Sequence, residues 1–240
     1  MNHPKETNEF SEHIERWAHE DMLQLTHHFH RLKGEQYERT SDFDMDKVED
    51  VIKFEGIKKT IKRLRIYLAL NPPNKAAFTF FPVLEVLTDD DKLHQFKLHA
   101  TENRKSSSGD LEVVPKLFKD MICQNWDTID ANLVDDLFFA SKKAANGFDT
   151  LLRVQYFEVK EKILTEVIRK LPELTGITLY SGIDMNKFSD KTQISFTPVL
   201  GFQYDSAVDK NDLSFGLKSV LEFSKGETFI EYSSPCPPTC

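Results

Sequence analysis

Phe80-Phe81-Pro82-Val83-Leu84 in the first half of the chain returns as Phe196-Thr197-Pro198-Val199-Leu200 in the second, with only Phe81 and Thr197 out of agreement. The same offset relates Val51-Ile52 to Val167-Ile168, so a helix-like and a strand-like stretch recur together. Such a recurrence constrains architecture before any residue is given a task, because each copy must bury a matching face. The expected fold is α+β: two related helix-plus-antiparallel-sheet units preceded by a long N-terminal helix. With Ile66 aligned on Ile177, the second copy shortens one connection and lengthens the hairpin loop, where duplicated packing units tolerate change. Proline has no N–H to give a ladder, so Pro82 and Pro198 are each expected at a sheet edge or bulge.

From Lys62 the hydrophobic period is two, with Leu64, Ile66, Leu68 and Leu70 on one face and Arg63, Arg65 and Tyr67 on the other. Asn71-Pro72-Pro73-Asn74 reads as a turn, followed by strands over 78–87 and 93–100. Upstream, 5–33 reads as one amphipathic helix. Phe10, Ile14, Trp17, Ala18, Met22, Leu25, Phe29 and Leu32 form its stripe, and Gly34 ends it. Ser41 and Asp44 resemble a capping box for a second helix that buries Val48, Val51, Ile52 and Phe54. Downstream, 103–110 reads as a linker. Pro115 opens a helix carrying Leu117, Phe118, Met121, Ile122 and Trp126, and a further helix is expected over 131–147. A short strand at 154–157 precedes the second copy, whose helix is 158–171 and whose strands are 177–180 and 193–204. A last strand is expected at 228–232. The division is 1–105 for the N-terminal helix and first unit, 106–232 for the second unit with extra helices, and 233–240 for a Pro/Cys tail.

A chain of 240 residues with 19 Phe buries roughly 70% of its unfolded surface and needs no staple to fold. Its net charge of -8 argues against nucleic acid or an anionic membrane as partner. The opening Met1-Asn2-His3-Pro4-Lys5-Glu6 begins no secretory apolar region, and no apolar run is long enough to span a membrane. Three cysteines fit a reducing compartment. The expectation is a soluble, cytoplasmic protein.

The run Leu64-Arg65-Ile66-Tyr67-Leu68-Ala69-Leu70-Asn71, with the strand at 80–84, resembles a family of uncharacterised bacterial proteins. These pair an Arg-Ile-Tyr strand with a second apolar strand and end in Cys-Pro-Pro-x-Cys, here Cys236-Pro237-Pro238-Thr239-Cys240. The resemblance covers the two hairpins and the tail. The second copy departs from it, with Ile177-Thr178-Leu179-Tyr180 in place of Arg-Ile-Tyr. It implies a bacterial source and brings no activity with it.

Cys236 and Cys240 are the candidate metal ligands, since two thiols four apart can hold a soft metal. A closed site needs four ligands, and Cys123 and a histidine are the remaining sources. A disulfide is the other option, opposed by the extended backbone that the intervening prolines favour unless the chain turns sharply; an unliganded tail is the preferred reading. His13, His19, His27, His28 and His30 crowd the first segment; helical projection puts His19, His27 and His30 away from the apolar stripe and His28 on its edge, no His-Glu-x-x-His spacing occurs, and a solvated helix face is the preferred reading. Asp42-Phe43-Asp44-Met45-Asp46 imitates a calcium loop but has Lys47 where glycine is required and Lys53 at position twelve, so helix-start acids explain it better. Lys58, Lys59, Lys62, Arg63 and Arg65 form a basic cluster that reads as the solvent face of a strand.

Phosphate-loop, dinucleotide and nucleophile-elbow glycine motifs are absent from the sequence. No catalytic residue or cofactor is assigned. The leading expectation is a non-enzymatic binding or interaction module that uses the surface between the two units for a protein or small-molecule ligand. The alternative is a thiol or metal-binding protein built on Cys236 and Cys240.

Overall fold

The first apolar stripe does not stay on one helix. In the computed structural model, which describes residues 9–101, 116–143, 149–183, 196–204, 226–230 and 233–236, helix α1 (Ser11–His19) stops at Glu20, whose backbone is extended. Asp21 accepts from the Leu23 N–H and so caps a 3-10 turn, Met22–Gln24. One further turn, α2 (Leu25–His28), runs into strand β1 (His30–Lys33). The long helix expected over 5–33 is therefore corrected. A short acidic side chain at Asp21 bonds the backbone locally instead of continuing the helix. The break lets Trp17, Leu25 and Phe29 all reach the core while Leu23 stays exposed.

The first half continues with β2 (Gln36–Arg39), β3 (Asp42–Asp44), α3 (Val48–Ile57), β4 (Ile61–Leu70), β5 (Phe80–Thr88), β6 (Leu93–Lys97) and β7 (His99–Ala100). The second half has α4 (Lys116–Thr128), 3-10 turns at Ala131–Leu133 and Asp135–Phe138, β8 (Phe139–Lys143), β9 (Asp149–Arg153), β10 (Tyr156–Val159), α5 (Glu161–Glu166), β11 (Leu174–Ile183), β12 (Phe196–Tyr204), β13 (Gly226–Ile230) and β14 (Ser233–Cys236). The fold is α+β. Three local expectations change. Asp130 caps a 3-10 turn where a helix over 131–147 was expected. Ser41 donates to Asp127 instead of capping a helix, and 42–44 is a strand. Helix α3 buries Val51 and Phe54, leaving Val48 and Ile52 exposed. The linker expected at 103–110 lies outside the described residues.

Two five-stranded antiparallel sheets dominate, in the orders β14-β10-β4-β5-β6 and β13-β12-β11-β3-β7. Each sheet takes three neighbouring strands from one half of the chain and two from the other. Strands β4 and β5 pair from Ile61↔Thr88 to Leu70↔Phe80, with an irregularity between Ile61 and Arg63. Strands β11 and β12 pair from Leu174↔Tyr204 to Ile183↔Phe196, with one between Leu174 and Gly176. The exchanged strands also agree, with Tyr156 opposite Tyr67 in one sheet and Asp42 opposite Tyr180 in the other. In this register Leu64, not Ile66, stands where Ile177 stands, which corrects the alignment read from the sequence by two residues.

Both prolines lie on interior strands, not at edges. Pro82 is one residue past the last β5–β6 pair, Val83↔Lys97, and its carbonyl accepts from Leu98 N. Leu68, opposite Pro82, donates its N–H away from β5, to Gln155 O, so the proline nitrogen faces the side where β6 has ended. Pro198 likewise lies beyond Leu200, where the described β12–β13 ladder stops. At Pro82 the missing donor is tolerated because β6 has ended and no ladder bond is asked of it there.

The two sheets share one core, in which Leu64, Ile66, Leu68 and Leu70 belong to the same cluster as Ile177, Leu179 and Ile183. At its centre Phe29 and Phe138 stack, ring centroids 5.2 Å apart and planes 7° apart. Trp17 meets Phe138 edge-on, and Trp126 meets Phe29 edge-on. Each indole then crosses between halves, Trp17 Nε1 donating to Val154 O (2.8 Å) and Trp126 Nε1 to Thr40 O (2.9 Å). Arg153 donates to the carbonyls of Trp17 and Glu20, where α1 ends; Arg39 donates to those of Trp126 and Ile129, where α4 ends. These are the carbonyls a helix terminus leaves without partners. Helix α1 covers the outer face of the first sheet through Phe10 and Ile14, and α4 covers that of the second through Ile122 and Cys123.

Candidate functional site

A cavity of about 600 Å³ opens between α2, the β1–β2 hairpin and the β4–β5 connection. It is lined by Glu20, Gln24, His27, His28, His30, Tyr37, Pro73, Asn74, Lys75 and Thr79, a volume suited to a small organic molecule. Backbone bonds hold its walls together. Thr79 N donates to His28 O (3.1 Å) and Leu32 N to Lys75 O (2.8 Å), and Asn74 Oδ1 accepts from Ala76 N to shape the turn. The guanidinium of Arg31 lies over the Phe78 ring.

The wall contains a buried polar chain. His28 is 3% exposed. Its Nε2 lies 3.2 Å from Glu20 Oε2 and its Nδ1 lies 2.7 Å from Thr79 Oγ1. Burial pulls the His28 pKa below the ordinary imidazole value, and the Glu20 carboxylate opposes that only in part. His30 is also shifted down by burial. Its Nε2 accepts from Arg39 Nε (3.0 Å), which leaves Nδ1 to donate to Thr26 O. Both rings are therefore neutral hydrogen-bonding groups near neutral pH.

At the two described positions that match His28 and Glu20 the second half is apolar. Thr40 N donates to Phe29 O and Val154 N to Phe138 O, so Phe29 and Phe138 occupy matching positions. The residue before each is His28 in one half and Leu137 in the other, both buried. The helix-terminal carbonyls bound by Arg153 and Arg39 set Glu20 against Ile129 in the same way.

The histidine reading thus changes. His19 bonds Glu15 O on an exposed surface, as a solvated helix face would have it, but His28 is buried and His27 and His30 line a cavity. The signal that was available is His28 on the edge of the apolar stripe; what hid the site is Thr79, which no periodicity joins to it. No group of three or more His, Cys, Asp or Glu able to hold a metal occurs among the described residues.

The other sequence candidates do not converge on this cavity. Cys236 is buried in β14 opposite Tyr156 and is disulfide-bonded, while Cys123 is a buried thiol in α4; Cys240 lies outside the described residues. The basic cluster is dispersed. Lys58 is buried and donates to the carbonyls of Leu171 and Pro172, Arg63 pairs with Glu85, Arg65 with Glu158 and Lys62 with Asp91. Asp42 and Asp44 are buried strand residues, not helix-start acids. On that outer sheet face Thr178 bonds Asp44, and Gln203 and Tyr180 both bond Glu227, whose pKa burial pushes up. A Cβ at Gly201 would collide with Glu227 Oε1, so glycine is what leaves room for the carboxylate. These groups satisfy one another and make a structural network.

No helix among the described residues is long and apolar enough to cross a membrane. No protein-family model, curated protein or solved structure matches the chain.

Proposed function

We propose that the chain is a binding module for a small molecule seated in the cavity walled by Glu20, His28 and Thr79. The observation that carries this is a buried, hydrogen-bonded histidine–carboxylate pair in one half where the other half has Leu137 and Ile129. Burying such a pair is often no more stabilising than packing hydrophobic residues of similar volume. The second half supplies that apolar solution, so the polar one is retained for what it does. We further propose that the two halves are copies of one unit, which the agreeing strand registers and the crossed indole bonds support. The binding surface is then not the junction between units expected from the sequence but a cavity in the first. The test is a thermal-shift screen of a small-metabolite library against the native protein and Glu20→Ile/His28→Leu. Compounds that stabilise the native protein and not the variant are expected. A library with no such compound refutes the reading.

The alternative, a thiol or metal site on Cys236 and Cys240, rests on the sequence spacing. Elemental analysis and thiol alkylation of protein taken from its cells decide it. An intact Cys236 disulfide there also points to an oxidising compartment and away from the cytoplasmic location expected from three cysteines.

A further inference from the structure

We propose that the molecule bound in this cavity is an organic anion carrying an O–H or N–H group, with that donor at Thr79 and the anionic end toward Lys75 and His27. This rests on the cavity being the binding site.

The donor end follows from a fixed chain of hydrogen bonds. An ionised carboxylate only accepts, so Glu20 Oε2, at 3.2 Å, places the proton of the neutral ring on His28 Nε2. Nδ1 is then an acceptor, and Thr79 Oγ1, at 2.7 Å, donates its single proton to it. What Thr79 offers the cavity is therefore lone pairs, which a ligand must meet with a donor. A site whose buried acceptor is committed in this way rejects analogues that lack the donor.

The anionic end follows from what else lines the wall. Glu20 is the one carboxylate among the lining residues, and both oxygens are engaged, Oε1 by Asp21 N at 3.1 Å. The side chains of Gln24, His27, Tyr37 and Lys75 carry no hydrogen bond or ion pair from another described residue. Each of them can donate, and Lys75 brings the uncompensated charge. In a chain of net charge -8, this is a cavity that favours an anion.

Four probes separate the features: gluconate (anion with hydroxyls), hexanoate (anion without), sorbitol (hydroxyls without charge) and spermidine (cation with donors), each titrated against ¹⁵N-labelled protein by NMR. Gluconate is expected to bind at least about tenfold tighter than each of the others, the equivalent of one hydrogen bond or charge contact. Thr79→Val brings the gluconate-to-hexanoate ratio toward one, Thr79→Ser preserves it, and Lys75→Met weakens gluconate while leaving sorbitol unchanged. The His28 nitrogen shifts report the Nε2–H tautomer without any ligand. An Nδ1–H tautomer, tighter binding of spermidine, or a ratio that survives Thr79→Val overturns the proposal. So does a library hit lost in Glu20→Ile/His28→Leu that is a cation or has no donor. That last result leaves the cavity as a binding site, whereas the absence of any such hit removes both.

Discussion

At the centre of the molecule Phe29 and Phe138 face each other with nearly parallel rings, and the residues just before them could hardly differ more. His28 is tied to Glu20 and Thr79; Leu137 is tied to nothing polar and packs in the shared core. Around both positions the supports are alike: a crossing indole, an arginine on a helix terminus, and a phenylalanine at the start of a long strand. Packing that is the same on both sides explains why the molecule holds together. Only the difference has to be explained by something other than stability.

Four measurements sharpen or break that comparison, from the largest expected effect to the smallest. Phe29→Ala and Phe138→Ala should each lower unfolding stability by about 3–5 kcal/mol in urea titrations. The double variant should cost less than their sum because the rings touch. A large cost on one side only would mean that the two supports are not equivalent. Lys58→Met should cost about 1–3 kcal/mol, since it leaves two carbonyls without their donor. Arg169→Met, which removes a more exposed side chain (30%) from the Ile61 carbonyl, should cost less. Equal losses would argue against burial as the cause.

His28→Leu alone should destabilise by about 1–2 kcal/mol, by stranding Glu20 and Thr79. Adding Glu20→Ile should return the protein to within about 1 kcal/mol of the native chain. A double variant worse than the single one would show that the polar pair is needed for folding. The smallest effect is on pH dependence. Burial holds the folded-state pKa of His28 below 6.5. In the window between that lowered value and 6.5 the unfolded chain binds the proton that the folded one refuses. Stability is therefore full above 6.5, falls as the pH drops through the window, and levels off below it. Urea midpoints from pH 8 to pH 5 should show a shallower fall in Glu20→Ile/His28→Leu. The residual slope combines His30 and His99, which burial shifts in the same direction, with Asp135 and Glu227, whose carboxyl pKa values burial raises and which act in the opposite sense. An unchanged slope would show that His28 does not titrate in this range.

Much of the strand framework was legible in advance, because alternation in the 62–70 and 196–204 stretches leaves a face that only a sheet can bury. The histidine site was legible only as an oddity. Helical projection put His28 on the edge of the stripe, but that projection assumed a helix which Asp21 interrupts. The basic cluster was visible as charge, yet nothing local says that Lys58 turns inward to Leu171 and Pro172. Trp17 and Trp126, each followed four residues later by Asp21 and Asp130, were a further signal of correspondence that went unread because the matching strands lie at a different offset.

By itself the sequence determined which segments alternate and that two proline-bearing strands share one apolar pattern. These are properties of neighbours along the backbone, governed by dihedral preferences and by the period of the buried face. Tertiary structure alone decided that each half lends two strands to the other's sheet, that the two phenylalanines stack, and that Glu20, His28 and Thr79 meet. Those outcomes depend on contacts between residues far apart in the chain, whose energies appear only once the intervening loops have closed.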